Sequence, residues 1–381
     1  MKKIVSSEMA TVMAIMALGV LAMSILQPML PLYLTDIGVA PEILGLMLAV
    51  AMVGMVIGES SWGWLADRVG LKIPMSMGTF VCALAVFLFV LTQNVPAIFA
   101  IFFFWGVVRS ALFGPGRGYI GANAPPLKKA TFMAIITVML SASRSLGALP
   151  SGFIVDAWGY HSVFFVSCGI ALLSGFVVVT GLRKTRLVKH KSPAVPASPT
   201  DGFPSSGRVF SYRHPMTFLP LLATQVVGVS ATEVGILFTI RGLVTMVLGI
   251  PLGILADRKG KRGFMILGLL VSALAMAGMA FAESFPWLIA FSIVGSLGLA
   301  MFSPAALGLL SDSVPLHRQS TVMGVYGGIC ENTGIIAGSA LGGFVWSAWG
   351  PRVIFLMGTV TASLGAVVCF GFVRSEAPKN P

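Results

Sequence analysis

The chain has 381 residues, of which 56% are hydrophobic and only 10% charged, and its formal net charge is +12. A soluble fold of this length would carry far more charge on its surface, so a water-soluble enzyme or nucleic-acid-binding domain is excluded. The positive balance reads instead as Lys and Arg retained in the inner loops of a membrane protein, with no nucleic-acid partner.

Met1-Lys2-Lys3 precedes an apolar stretch that runs to Leu34, too long for the hydrophobic region of a signal peptide, so it is read as the first span. Spans follow from the apolar runs near 11–34, 43–66, 73–92, 97–119, 131–155 and 163–182. About 20 apolar residues suffice to cross a hydrocarbon core of roughly 30 Å. Arg183-Lys184-Thr185-Arg186 then opens a polar stretch holding Pro193, Pro196, Pro199 and Pro204, which predicts a flexible cytoplasmic linker over 183–208. Further spans are expected near 231–256, 264–282, 286–311, 321–347 and 352–373. The organisation expected is an N-terminal six-helix bundle (1–182), the linker, and a C-terminal bundle (209–381) whose first span is short.

Gly63-Trp64-Leu65-Ala66-Asp67-Arg68-Val69-Gly70-Leu71-Lys72 returns 190 positions later as Gly253-Ile254-Leu255-Ala256-Asp257-Arg258-Lys259-Gly260-Lys261-Arg262. Val39–Gly45 parallels Val229–Gly235, Phe113-Gly114-Pro115 parallels Phe302-Ser303-Pro304, and Gly152-Phe153 with Trp158-Gly159 parallels Gly343-Phe344 with Trp349-Gly350. A repeat of this period marks two related halves, a plan common among secondary transporters. It places a seventh span at 201–224, where the apolar stretch is only Met216–Val229. Its 14 residues cover about 21 Å as a helix, and Pro215 and Pro220 weaken it. Charge decides the topology. If this stretch did not cross, Arg258, Lys259, Lys261, Arg262, Arg318, Arg374 and Lys379 would all face outward, against the positive-inside rule. A short, distorted crossing with both termini cytoplasmic is therefore expected, giving eleven clear spans and a shortened seventh in an all-α polytopic fold.

The paired GxLADRxG segments resemble the signature loops of the major facilitator superfamily. The resemblance covers nearly the whole chain and implies two pseudo-symmetric six-helix bundles around a cavity that opens alternately to either side. It assigns Gly63, Asp67, Arg68, Gly70, Gly253, Asp257, Arg258 and Gly260 to gating. Physically, the glycines permit tight turns, the aspartates can face a helix N-terminus, and the basic residues anchor the loops on the cytoplasmic side. A topogenic role alone is the other reading.

An ionisable group at mid-membrane costs at least about 2.5–3.5 kcal/mol on insertion scales, so each one points to a cavity or a partner. Glu331, near the middle of the eleventh span and beside Asn332, is read as a substrate or proton site or as a structural partner for an arginine. Arg144 lies near the repeat position of Glu331, Arg109 precedes Gly114-Pro115-Gly116, and Arg241 is placed to pair with Glu331. Glu59 is read as bracing the signature loop rather than binding substrate. The family's drug:proton antiporters carry an Arg in the fourth span with a Gly four residues on; here Phe113 holds that place. Gly147–Gly152 and Gly334–Gly343 likewise depart from the antiporter glycine-proline pattern.

Cys82, Cys168, Cys330 and Cys369 all lie in apolar runs without metal-ligand spacing. No nucleotide loop, catalytic constellation or metal cluster is legible, so no cofactor is expected and a gradient is the expected driving force. The function expected is secondary transport of a small organic molecule across the inner membrane by a monomer, as proton-coupled efflux. The alternatives are an anionic-metabolite carrier using Arg109 and Arg144, and a non-transporting sensor or scaffold.

Overall fold

In a bilayer every backbone polar group must be satisfied within the protein, so long apolar runs fold as helices. The computed structural model describes residues 7–113, 115–116, 119–120, 129–182, 214–312 and 332–372. The helices are α1 (Ser7–Leu26), α2 (Leu30–Asp36), α3 (Pro41–Val69), α4 (Lys72–Leu91), α5 (Val95–Arg109), α6 (Lys129–Trp158), α7 (Tyr160–Gly181), α8 (Ala231–Lys259), α9 (Lys261–Ala280), α10 (Phe285–Asp312), α11 (Asn332–Trp349) and α12 (Pro351–Phe372). Leu84, Leu88 and Leu91 of α4 are exposed at spacings of four and three, as are Val360, Leu364 and Val367 of α12. An exposed apolar stripe of this kind faces lipid, the inverse of a soluble helix.

Ten helical stretches among the described residues are long and apolar enough to cross a membrane, one fewer than the eleven expected. The difference falls at the eleventh span, whose first part lies outside the described residues and leaves only α11. The first span is also not one continuous helix. Pro28 has no N–H to donate, and the chain breaks between α1 and α2 before Pro31 restarts the helix in its first turn.

The chain divides into two compact units. The first holds α1, α2, most of α3, α4 to α7 and the opening turns of α8; the second holds the opening turn of α3, residues 214–229, the rest of α8, and α9 to α12. The partition thus differs from a simple cut at the linker: Ala40–Gly45 and Ser230–Thr239 each cluster with the opposite half.

In the first unit α1 packs on α6 and α7, and α4 packs on α5 and α7. Val12, Met16, Leu71, Met75, Leu140 and Val178 are buried together. Serines bind the helices where lipid offers no alternative partner: Ser167 Oγ donates to the Ala22 carbonyl at 2.8 Å, and Ser174 Oγ to that of Ile15 at 3.2 Å. In the second unit α9 packs on α10 and α12. There Gly268 and Gly298 face each other, and a Cβ on either would stand 2.7 Å from the other's carbonyl oxygen. Only glycine allows that crossing.

The stretch expected to be a short seventh span is irregular. A 3-10 turn (His214–Phe218) runs into one α turn (Leu219–Leu221) and a π-helical turn (Leu222–Val227). Gly228, at φ +77°, ends it in the left-handed conformation. Phe218, Leu219, Leu221, Leu222 and Ala223 are all fully buried, and Phe218 stacks on Trp346 with ring centroids 5.7 Å apart.

Candidate functional site

In the first unit α5 carries Arg109 at its last position. The helix starts where Asn94 Oδ1 accepts from the Ala97 N–H at 3.4 Å, with Pro96 in the first turn. Gly106 sets α5 against α3 so closely that a Cβ would run into the Ala51 backbone. Just past Arg109 the backbone tightens to a 3-10 turn (Ser110–Leu112), and Ser110 Oγ donates back to the Val107 carbonyl at 2.7 Å. The fourth span was expected to continue to 119, and past the 3-10 turn the described residues 113, 115–116 and 119–120 are helical again.

The Arg109 guanidinium lies against α3. Its Nη2 stands 3.1 Å from Met55 Sδ and 3.9 Å from Met52 Sδ, and its Cζ sits 4.8 Å from the Trp105 ring centre. Its Nε has no hydrogen-bond partner among the described residues. Thioether sulfur is a weak acceptor and the indole face binds the cation without hydrogen-bonding it, so these contacts hold the guanidinium while leaving it donor capacity. Arg144 and Glu59 lie near enough for their charges to act on it. Both charges belong to the surroundings of Arg109. Met52 and Met55 were not expected here at all. Their spacing to Glu59, three and then four residues, puts all three on one helical face, a signal that could have found them.

Arg144 is exposed on α6 between buried Ser143 and Ser145. In the second unit the Arg241 carbonyl accepts from Thr245 Oγ1 at 2.9 Å, and Asn332 is the buried first residue of α11. Glu331 lies outside the described residues, and with it the expected pairing to Arg241.

The two signature segments share one backbone design. Gly70 ends α3 at φ +86° and Gly260 ends α8 at φ +103°, where a residue with a Cβ would be strained. Their N–H groups return to the carbonyls of Ala66 and Ala256 at 2.9 and 3.0 Å. Gly63 and Gly253 serve no turn; both lie inside helices. Asp67 falls in the last turns of α3. Arg68 covers the Trp64 ring at 3.9 Å. Asp257 pairs with Lys261 at 3.5 Å but is exposed, so that bridge contributes little stability, and Arg258 is exposed as well.

At the opposite end of these helices a second repeated arrangement was not foreseen. Asp156 Oδ2 accepts the Thr232 N–H at 2.8 Å, which satisfies an orphan donor at the start of α8. Ser230 and Glu233 cap the same end reciprocally, the Ser230 N–H donating to Glu233 Oε2 at 2.8 Å. In the other unit Ser347 donates to the Glu42 carboxylate. In the repeat, position 42 matches 232 and position 156 matches 347, so the same two positions pair in both units with the carboxylate on opposite members. A Cβ on Gly152 or Gly343 would strike the backbone of residues 231–232 or 41–42, so both contacts are glycine-tight.

The model of the Major Facilitator Superfamily matches residues 12–213 and again 207–381, one match to each half. The multidrug resistance protein MdtG of Salmonella typhimurium is 23% identical over 390 residues, covering 93% of this chain and 92% of that protein. Its counterpart in Escherichia fergusonii is 25% identical over 391 residues, covering 93% and 90%. Among solved structures, a mutant of the nucleoside transporter NupG superposes with a TM-score of 0.81 at 12% identity, covering 96% of this chain and all of that one. A D-xylose-proton symporter does so at 0.78 and 16%, covering 98% and 99%. The chain belongs to the major facilitator superfamily and is a multi-pass secondary transporter, not an enzyme.

Proposed function

We propose that the chain exports small amphipathic or lipophilic organic molecules in exchange for protons, alternating the side of the inner membrane from which its binding residues are reached. The observation that carries this reading is the likeness, over nine-tenths of both chains, to proteins named for multidrug resistance. The chemistry around Arg109 supports it: a cation cradled by thioethers and an indole in an apolar interior, with few fixed charges to select one polar ligand. In this reading Glu331 is the first candidate for the carboxylate that loads and releases the proton, and Glu59, close to Arg109, is the second. Asn332, Arg144 and Arg241 contribute to substrate or proton binding, the signature residues gate, and the protein works as a monomer with both termini cytoplasmic.

Everted vesicles loaded by an imposed pH gradient and followed with ethidium test this. Glu331→Gln is expected to abolish gradient-driven ethidium movement while leaving ethidium binding intact. Unchanged movement in both Glu331→Gln and Glu59→Gln would remove the proton role from these carboxylates. Ethidium that binds but never moves in the unaltered protein would favour a sensor on a carrier fold.

One observation favours a second reading, transport of an organic anion: Arg109 and Arg144 stand close enough for their charges to interact. That reading requires Arg144→Ala to abolish binding of the anion, and retained binding would exclude it.

A further inference from the structure

Each signature segment ends on a basic residue placed badly for its own helix. Lys72 is the first residue of α4, and Lys261 and Arg262 open α9. A helix N-terminus is the positive end of its dipole, so local rules favour Asp or Glu there and disfavour Lys or Arg. A membrane interface explains cationic residues near this level but not their repetition at one register.

The structure supplies the missing partner in both units. Lys72 Nζ donates to the Val179 carbonyl at 2.6 Å. Arg262 Nη2 donates to the Phe370 carbonyl, and its guanidinium stands 5.2 Å from the Phe370 ring. Val179 and Phe370 lie in the last turns of α7 and α12. The last four carbonyls of a helix have no intrahelical donor, and that end of the dipole attracts a cation. Each basic residue thus leaves the wrong end of its own helix for the right end of another.

The arrangement is one repeat position meeting another. Lys72 matches Arg262 at the offset of the signature segments, and Val179 matches Phe370 at the offset of the Gly152-Phe153 and Gly343-Phe344 pairs. The side chains differ, the partner residues differ, and the contact is the same. Beneath it the packing also repeats: Met75 and Val178 are buried in the first unit, and their counterparts Met265 and Cys369 in the second.

We infer that Lys72 and Arg262 are positioning residues that clip each signature loop to the end of the last span of its own half, so that loop and span move as one body during transport. Asp67, Arg68, Asp257 and Arg258 then travel with their bundles rather than as free loops. In the first unit the clip sits one turn before Arg183, where the linker to the second half begins.

A nitroxide placed at Val69 or at Lys259, in a background without native cysteines, reads the loops directly. Lys72→Ala is expected to sharpen the spectrum at 69, reporting faster motion, and to leave the spectrum at 259 unchanged. Arg262→Ala is expected to do the reverse. Lys72→Arg and Arg262→Lys should restore the ordered line shapes. Unchanged spectra in both alanine variants, or a global loss of order at both labels from either one, would overturn the inference. The line shapes need no substrate, so they stand apart from the efflux reading on which only the next measurement depends.

Cysteines at 72 and 179, joined by a short bifunctional thiosulfonate, test whether the two elements stay together through the cycle. Ethidium efflux should persist in the joined protein at a level within about twofold of the unjoined pair. Efflux that stops on joining and returns on reduction would show that the loop parts from the span, and the inference would fail.

Discussion

The first span and its repeat counterpart, the stretch that closes at Val227, end alike. In the first, α1 and α2 together span residues 8–36, with a break at Pro28. In the seventh the apolar helical stretch among the described residues is Met216–Val227, built from 3-10, α and π turns. Yet the closing residues are buried to the same degree. Met29, Leu30, Leu32 and Leu34 are essentially inaccessible in one, and Phe218, Leu219, Leu221 and Leu222 in the other. Sequence likeness follows burial: Met29-Leu30-Pro31-Leu32 resembles Phe218-Leu219-Pro220-Leu221, and upstream of that the resemblance is lost. The likeness is kept where the residues are packed, because the packed end is what its neighbours rest on.

The comparison is broken most directly by removing the packed end. Phe218 fills a fully buried site against Trp346, so Phe218→Ala is expected to destabilise the protein by about 3–5 kcal/mol, read as a large fall in melting temperature in detergent. A shift no larger than that of an exposed control such as Phe176→Ala would mean the short stretch is not anchored in this way. The anchors also differ in chemistry. Tyr33 adds a hydroxyl that donates to the Phe89 carbonyl at 3.2 Å, whereas the matching place in the seventh stretch is held by the apolar Leu222. Tyr33→Phe should cost about 1 kcal/mol, and a change below the error of the melt would show that the two ends are equivalent. Smallest is the difference between two variants at the carboxylate exchange on the ends of α6 and α11. Asp156→Asn keeps an acceptor for the Thr232 N–H and should cost no more than about 0.5–1 kcal/mol, while Asp156→Ala leaves that N–H uncapped and costs about 1–2 kcal/mol. Equal effects would mean the contact contributes no capping.

Much of the fold was legible because its causes are local. Apolar runs gave the helices within a few residues, and the glycines at 70 and 260 announced turns that the backbone requires. The Ser230-Ala231-Thr232-Glu233 sequence is itself a capping signature. What was not legible depends on neighbours distant in the chain. Arg109 is cradled by Met52 and Met55, more than fifty positions away, and no periodicity within α5 points to them. The charge of Glu59 acts on Arg109, fifty positions on, which nothing in the local sequence shows. Lys72 and Arg262 read as interfacial anchors until the carbonyls they reach were seen. The exchange of opening turns between the units has the same character: residues 40–45 and 230–239 are ordinary helix starts whose partners lie in the other half of the sequence.

The central claim is that the halves share one orientation although the seventh crossing is short. A cysteine at exposed Lys259, in a background without native cysteines, tests it with a membrane-impermeant thiol reagent on intact cells, beside the repeat-equivalent cysteine at Val69. Protection of both sites, with labelling of both only after permeabilisation, is the predicted result and requires Met216–Val229 to cross. Labelling of 259 from outside while 69 stays protected would mean that the second half is inverted, and the account of two matching transport halves would be contradicted.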